Sequence, residues 1–75
     1  MGSDELLKEL KEKGYNVRWL SREMCYRNVN ASPSTIYKKI RGVSQFTAPE
    51  IKVIQDILEL DNEKMYHIFF GELVS

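Results

Sequence analysis

Helix start and stop signals recur at short intervals along this chain, and they confine it to a set of brief helices. Gly14 closes a first segment, roughly Asp4 to Lys13, whose apolar stripe is Leu6, Leu7 and Leu10. Asn16 is an N-cap for a second, with Val17, Leu20 and Met24 at helical spacing. Ser32-Pro33 opens a third: serine caps well, and proline suits the first helical position, where no amide donor is needed. Ile36 and Ile40 mark its buried side and Gly42 ends it. Thr47-Ala48-Pro49-Glu50 fits a capping box, followed by Ile51, Ile54 and Leu58 as a core stripe. Asp61 caps a fifth helix carrying Met65, Ile68 and Phe69, with Gly71 at its end. No segment sustains strand alternation, and Val43 to Thr47 is too short to judge. The expectation is a compact all-α domain of five short helices.

With 75 residues there is room for one domain, placed at residues 4–71. A chain this short buries only about 60% of its unfolded surface, so its stability margin is thin. Hydrophobic residues make up 43% and charged residues 29%, a globular balance rather than a disordered one. Met1-Gly2-Ser3 reads as a cloning remnant and carries no weight in the fold. The longest apolar run is Ile68-Phe69-Phe70, far short of a membrane span. Asp4 and Glu5 replace the basic start of a signal peptide, and the single cysteine, Cys25, has no internal disulfide partner. Both features suit a reducing cytoplasm.

The formal net charge is zero, which argues against a nucleic-acid partner until the charges are placed. Residues 16–45 hold Arg18, Arg22, Arg27, Lys38, Lys39 and Arg41 against Glu23 alone, a net +5. The segment before them carries three lysines and four acids, net −1, and the segment after them two lysines and six acids, net −4. Charge sorted in this way can give one face a positive field while the whole stays neutral.

The third helix concentrates that block. At about 100° per residue, Lys38 falls opposite the Ile36/Ile40 side, with Ser34 and Arg41 beside it and Tyr37 and Lys39 flanking. One face is thus aliphatic and the other offers a hydroxyl, cations and a phenol. Ser34 and Lys38 are of the types that reach base edges in a major groove, whereas Arg41 at the far end suits a phosphate. Arg18 and Arg22, one turn apart on the second helix, could clamp the DNA backbone. A solvated basic surface would show the same pattern.

Val17-Arg18-Trp19-Leu20-Ser21-Arg22-Glu23-Met24 resembles the first helix of a helix-turn-helix, with Ser21 where a small residue allows close packing. Ser34-Thr35-Ile36-Tyr37-Lys38-Lys39-Ile40-Arg41-Gly42 resembles its recognition helix, and Phe46 to Ile51, Ile54, Leu58, Leu60 and Ile68-Phe69-Phe70 resemble the helices that close the domain. In order and spacing, residues 5–71 are similar to the lambda-repressor-like fold of phage Cro/CI-type transcriptional regulators. The resemblance implies a five-helix domain that binds a double-stranded DNA operator as a homodimer. It places Pro33, Ser34 and Lys38 at base-reading positions and Ser32, Tyr37 and Arg41 near phosphates, with Lys39 a further phosphate candidate.

One departure stands out. The family's turn is short, and here Cys25 to Pro33 fills it, about five residues longer, with Cys25 where glycine is usual and Pro33 where a long polar reader is common. The extra residues form either an extended turn or a longer second helix. Arg27, Asn28 and Asn30 are then either added backbone contacts or a plain surface loop.

Other residues carry less. His67 and Cys25 are too few for a zinc site, and nothing has the spacing of a catalytic triad or paired carboxylates, so neither metal, cofactor nor enzymatic activity is expected. Asn30-Ala31-Ser32 matches a glycosylation sequon by coincidence, with proline following. Trp19 is expected at the edge of the core. Tyr66, Phe69, Phe70, Leu73 and Val74 give the C-terminus more apolar weight than one helix face requires; they either complete a small core or, the favoured reading, form a dimer contact. The leading reading is a sequence-specific repressor, whole or part of a longer one. The alternative is a protein-interaction module, an antitoxin or antirepressor, which the long turn and zero net charge favour.

Overall fold

The computed structural model describes residues 4–71. Its elements are α1 (Asp4–Glu12), α2 (Val17–Tyr26), α3 (Pro33–Ile40), α4 (Ala48–Leu58) and α5 (Asn62–Phe70). Among the described residues there is no strand, so the 43–47 segment is a plain connection.

Each predicted N-cap is in place. The Asn16 side chain accepts from the Trp19 amide at 2.8 Å, Ser32 from Thr35 at 3.1 Å and Asp61 from Lys64 at 2.7 Å. At α4 the box is reciprocal: Thr47 accepts from the Glu50 amide at 3.3 Å and Glu50 accepts from the Thr47 amide at 2.8 Å. The helix ends share one device. Gly14, Asn28, Gly42 and Glu59 all have positive φ, between 54° and 84°. In each case the next residue donates its amide back five positions: Tyr15 to Leu10, Val29 to Met24, Val43 to Lys38 and Leu60 to Gln55. This is the left-handed Schellman closure, which satisfies carbonyls that the helix leaves open. Gly71 differs, capping α5 in a right-handed conformation.

The inward faces meet in one core of Leu6, Leu10, Val17, Leu20, Met24, Ala31, Ile36, Ile40, Ile54, Leu58, Leu60 and Ile68. α2 packs on α3 and α4, α1 on α3 and α5, and α4 on α5. Three expected stripes shift. In α1 the buried line is Leu6, Glu9 and Leu10, with Leu7 only half-buried. In α4 the buried line is Glu50, Ile54 and Leu58, with Ile51 only half-buried, and in α5 only Ile68 is fully inside. Helical spacing could not choose between Glu50 and Ile51 for the inward position, because burial of Glu50 depends on a partner from another helix. Trp19 sits at the core's edge as expected, half-buried and stacked on Tyr15 with centroids 3.7 Å apart and planes 8° from parallel.

Among the described residues two carboxylates are buried. Glu9 of α1 faces Lys64 of α5 at 3.3 Å and Lys13 at 3.7 Å, and His67 Nε2 lies 3.7 Å from Glu5, so polar groups line the α1–α5 seam. Glu50 is the second and belongs to the site.

Candidate nucleic-acid interface

α3 is held from behind by Ile36 and Ile40, each 1% exposed. Burying two isoleucines contributes roughly 3–6 kcal/mol before the cost of ordering the chain. The same rotation turns Ser34, Tyr37, Lys38 and Arg41 to solvent. Pro33 and Thr35 are half-buried at the entrance of the helix. Ser32, exposed, already uses its hydroxyl within the chain, accepting from the Thr35 amide and donating to Thr35 Oγ1 at 3.0 Å.

Lys39 does not join that face. Its Nζ donates to both Glu50 oxygens, at 2.6 and 2.7 Å, and its side chain is 12% exposed. It is withdrawn from the set of phosphate candidates and instead ties α3 to the N-terminus of α4. Burial acts to raise the Glu50 carboxyl, but hydrogen bonds from Lys39 and Thr47, with the lysine charge, outweigh it and hold the carboxyl below its ordinary value of 4.5. The capping box was legible in the sequence, but nothing there joins residues 39 and 50.

α3 is fixed to α2 as well. Ser21 Oγ donates to the Ala31 carbonyl at 2.5 Å. The sequence marked Ser21 as small, and it is also a donor that closes the connection between the two helices. On α2, Arg18 and Arg22 lie about 60° and 100° round from Ser21, on the flank next to that connection, and both are exposed. Arg18, Arg22, Arg27, Lys38 and Arg41 make no ion pair among the described residues.

The open question of the long turn resolves into both alternatives in part. α2 runs to Tyr26, so Cys25 is helical and exposed rather than standing at a turn glycine. The remaining extension, residues 27–32, is a turn in which Asn28 takes the left-handed position at φ 64°. Asparagine tolerates that conformation better than other side-chain-bearing residues, a signal legible in the sequence once the helix end is known.

The helix dipoles sort in the same direction as the charges. α4 and α5 carry an acid in the first turn, Glu50 and Glu63, while α2 and α3 carry none. The positive ends of α2 and α3 thus have no acid in their own first turns.

The dimer candidates separate. Tyr66 is 54% exposed and its ring lies 5.6 Å from that of the half-buried Phe70. Phe69 packs within the chain, edge-on to Phe46 at 5.3 Å, and leaves the set. Leu73 and Val74 lie outside the described residues. Among the described residues no group of three or more His, Cys, Asp or Glu is placed to hold a metal, and no helix is long and apolar enough to cross a membrane.

Comparison of the chain with family models, curated proteins and solved structures finds no match. What stands, among the described residues, is a helical domain of five helices, with exposed cations on α2 and α3 that make no ion pair.

Proposed function

We propose that this protein is a sequence-specific duplex-DNA-binding regulator of the helix-turn-helix type, laying α3 in the major groove. The observation that carries the reading is the exposed face of α3, held from behind by the core, on a helix packed against α2, whose Arg18 and Arg22 are exposed and make no ion pair among the described residues. Ile36, Ile40 and the Lys39–Glu50 pair fix its rotation, and the Ser21–Ala31 bond fixes its entrance. Ser34 and Lys38 are then the base readers, lysine donating to guanine O6 or N7 and the hydroxyl to several bases. Arg18, Arg22 and Arg41 take phosphates, which position the protein without specifying sequence. Pro33 offers only apolar contact, since it has no amide donor. The N-termini of α2 and α3, with no acid in their first turns, add to the attraction for phosphate. On a two-fold operator, two copies would place their α3 helices about 34 Å apart, with Tyr66 and Phe70 as the contact between copies.

The test is a salt titration of binding to random duplex DNA, for the native chain and for Lys38→Ala/Arg41→Ala. Affinity that falls steeply with salt, and less steeply in the variant, supports the reading, because each neutralised phosphate releases counterions. Absence of binding at low salt would overturn it and turn attention to a protein partner.

A further inference from the structure

The long turn between α2 and α3 is tied down, yet the side chains of Arg27 and Asn30 make no hydrogen bond or ion pair among the described residues. Val29 packs against the core and Ala31 is buried. The turn's backbone is tied at three points: the Asn28 amide to Cys25, the Val29 amide to Met24, and the Ala31 carbonyl to Ser21. Between and beside these anchors, Arg27, Asn28 and Asn30 face solvent. Tyr26, at the end of α2, is 76% exposed, more than the other exposed large hydrophobics. It lies one helical turn beyond Arg22, on the same flank of α2. Arg27 makes no ion pair among the described residues.

A loop kept only to join two helices needs neither this fixing nor an exposed phenol and arginine side by side. We propose that residues 26–30 are a second DNA-contacting surface, which grips the sugar-phosphate strand at the edge of the groove that α3 enters. The proposal rests on the reading of α3 given above. The turn leads directly into the Ser32 cap, so a duplex that receives the start of α3 brings a phosphate strand alongside the turn. Arg27 supplies a planar fork of donors matched to phosphate oxygens. The Tyr26 hydroxyl and the Asn30 amide add neutral donors of the kind found on DNA backbones. Because the turn is already ordered, little chain entropy is lost on contact. The chemistry recognises the phosphate strand and not base identity, so the turn enlarges the footprint without changing the sequence read.

The experiment measures Kd for random duplex DNA across a salt series, by fluorescence anisotropy, for the native chain, Arg27→Gln, Arg27→Lys and Arg18→Gln/Arg22→Gln. Circular dichroism confirms that each variant is folded, as these exposed sites allow. The expected result is a log–log salt slope shallower by about 0.9 in Arg27→Gln, restored in Arg27→Lys. Tyr26→Phe should weaken binding by about fivefold, the worth of one hydrogen bond, with the slope unchanged. If Arg27→Gln keeps the native slope while Arg18→Gln/Arg22→Gln does not, the turn is overturned as a contact and α3 stands. If the native chain shows no salt-dependent binding, the reading of α3 fails, and the turn with it.

Discussion

At the scale of single residues, Lys38 and Lys39 show how neighbours in sequence take opposite work. Lys38 is exposed and unpaired among the described residues, whereas Lys39 is drawn inward to Glu50. If Lys38 reads a base, Lys38→Ala should cost about 1–3 kcal/mol on the preferred site and relax specificity at one position. An equal loss on every sequence, measured by competition binding, would reduce it to a phosphate contact. Lys39→Met should act on stability, costing about 3 kcal/mol because Glu50 keeps its burial and loses its counter-charge. Lys39→Met/Glu50→Gln should recover part of that loss in thermal melts, since glutamine can still close the capping box. The pair also sets an acid limit. Glu50 is held below 4.5 in the fold, so its contribution is present above that value and is lost as pH falls through the depressed folded one. Between pH 6 and 3 the melting temperature of the native chain should therefore fall further than that of Glu50→Gln.

At the scale of elements, the left-handed helix ends separate backbone effects from packing. Gly14 has φ 81°, and a Cβ there would meet nothing within 4 Å. Gly14→Ala should still destabilise by about 1 kcal/mol, through backbone strain alone. Glu59 holds φ 54° with a full side chain. Glu59→Gly should stabilise by a few tenths to about 1 kcal/mol, the relief of strain exceeding the added chain entropy. In a domain of this size that is a rise of a few degrees in melting temperature. The same ends explain what the sequence could reveal. Helix starts were legible because Asn16, Ser32, Thr47 and Asp61 act on amides three residues away. The end of α2 was not, because its stop is Asn28 rather than glycine, and the helix ran past Cys25 to Tyr26. The α3 face was legible from Ile36 and Ile40. The Lys39–Glu50 and Ser21–Ala31 ties join residues 11 and 10 positions apart, and no local pattern encodes them.

At the scale of the molecule, a chain of zero net charge leaves Arg18, Arg22, Arg27, Lys38 and Arg41 without an ion pair among the described residues, while several acids pair with other cations. Glu9 and Glu5 face the α1–α5 seam, and Glu50 neutralises Lys39. If Arg18, Arg22 and Arg41 each neutralise a phosphate and Arg27 adds a fourth, binding should give a log–log salt slope of about −3.6 per protomer. A slope near zero would show that these charges do not meet DNA. The molecule also carries its own optical gauge. Its one tryptophan, in α2, is stacked on Tyr15 of the α1–α2 connection and follows Arg18 in the chain. Unfolding separates the two rings, and on the proposed reading a phosphate strand arriving at Arg18 would change the electric field near the indole. Emission from Trp19 can therefore follow both melting and ligand arrival without any attached dye, and Trp19→Phe should silence the signal in both.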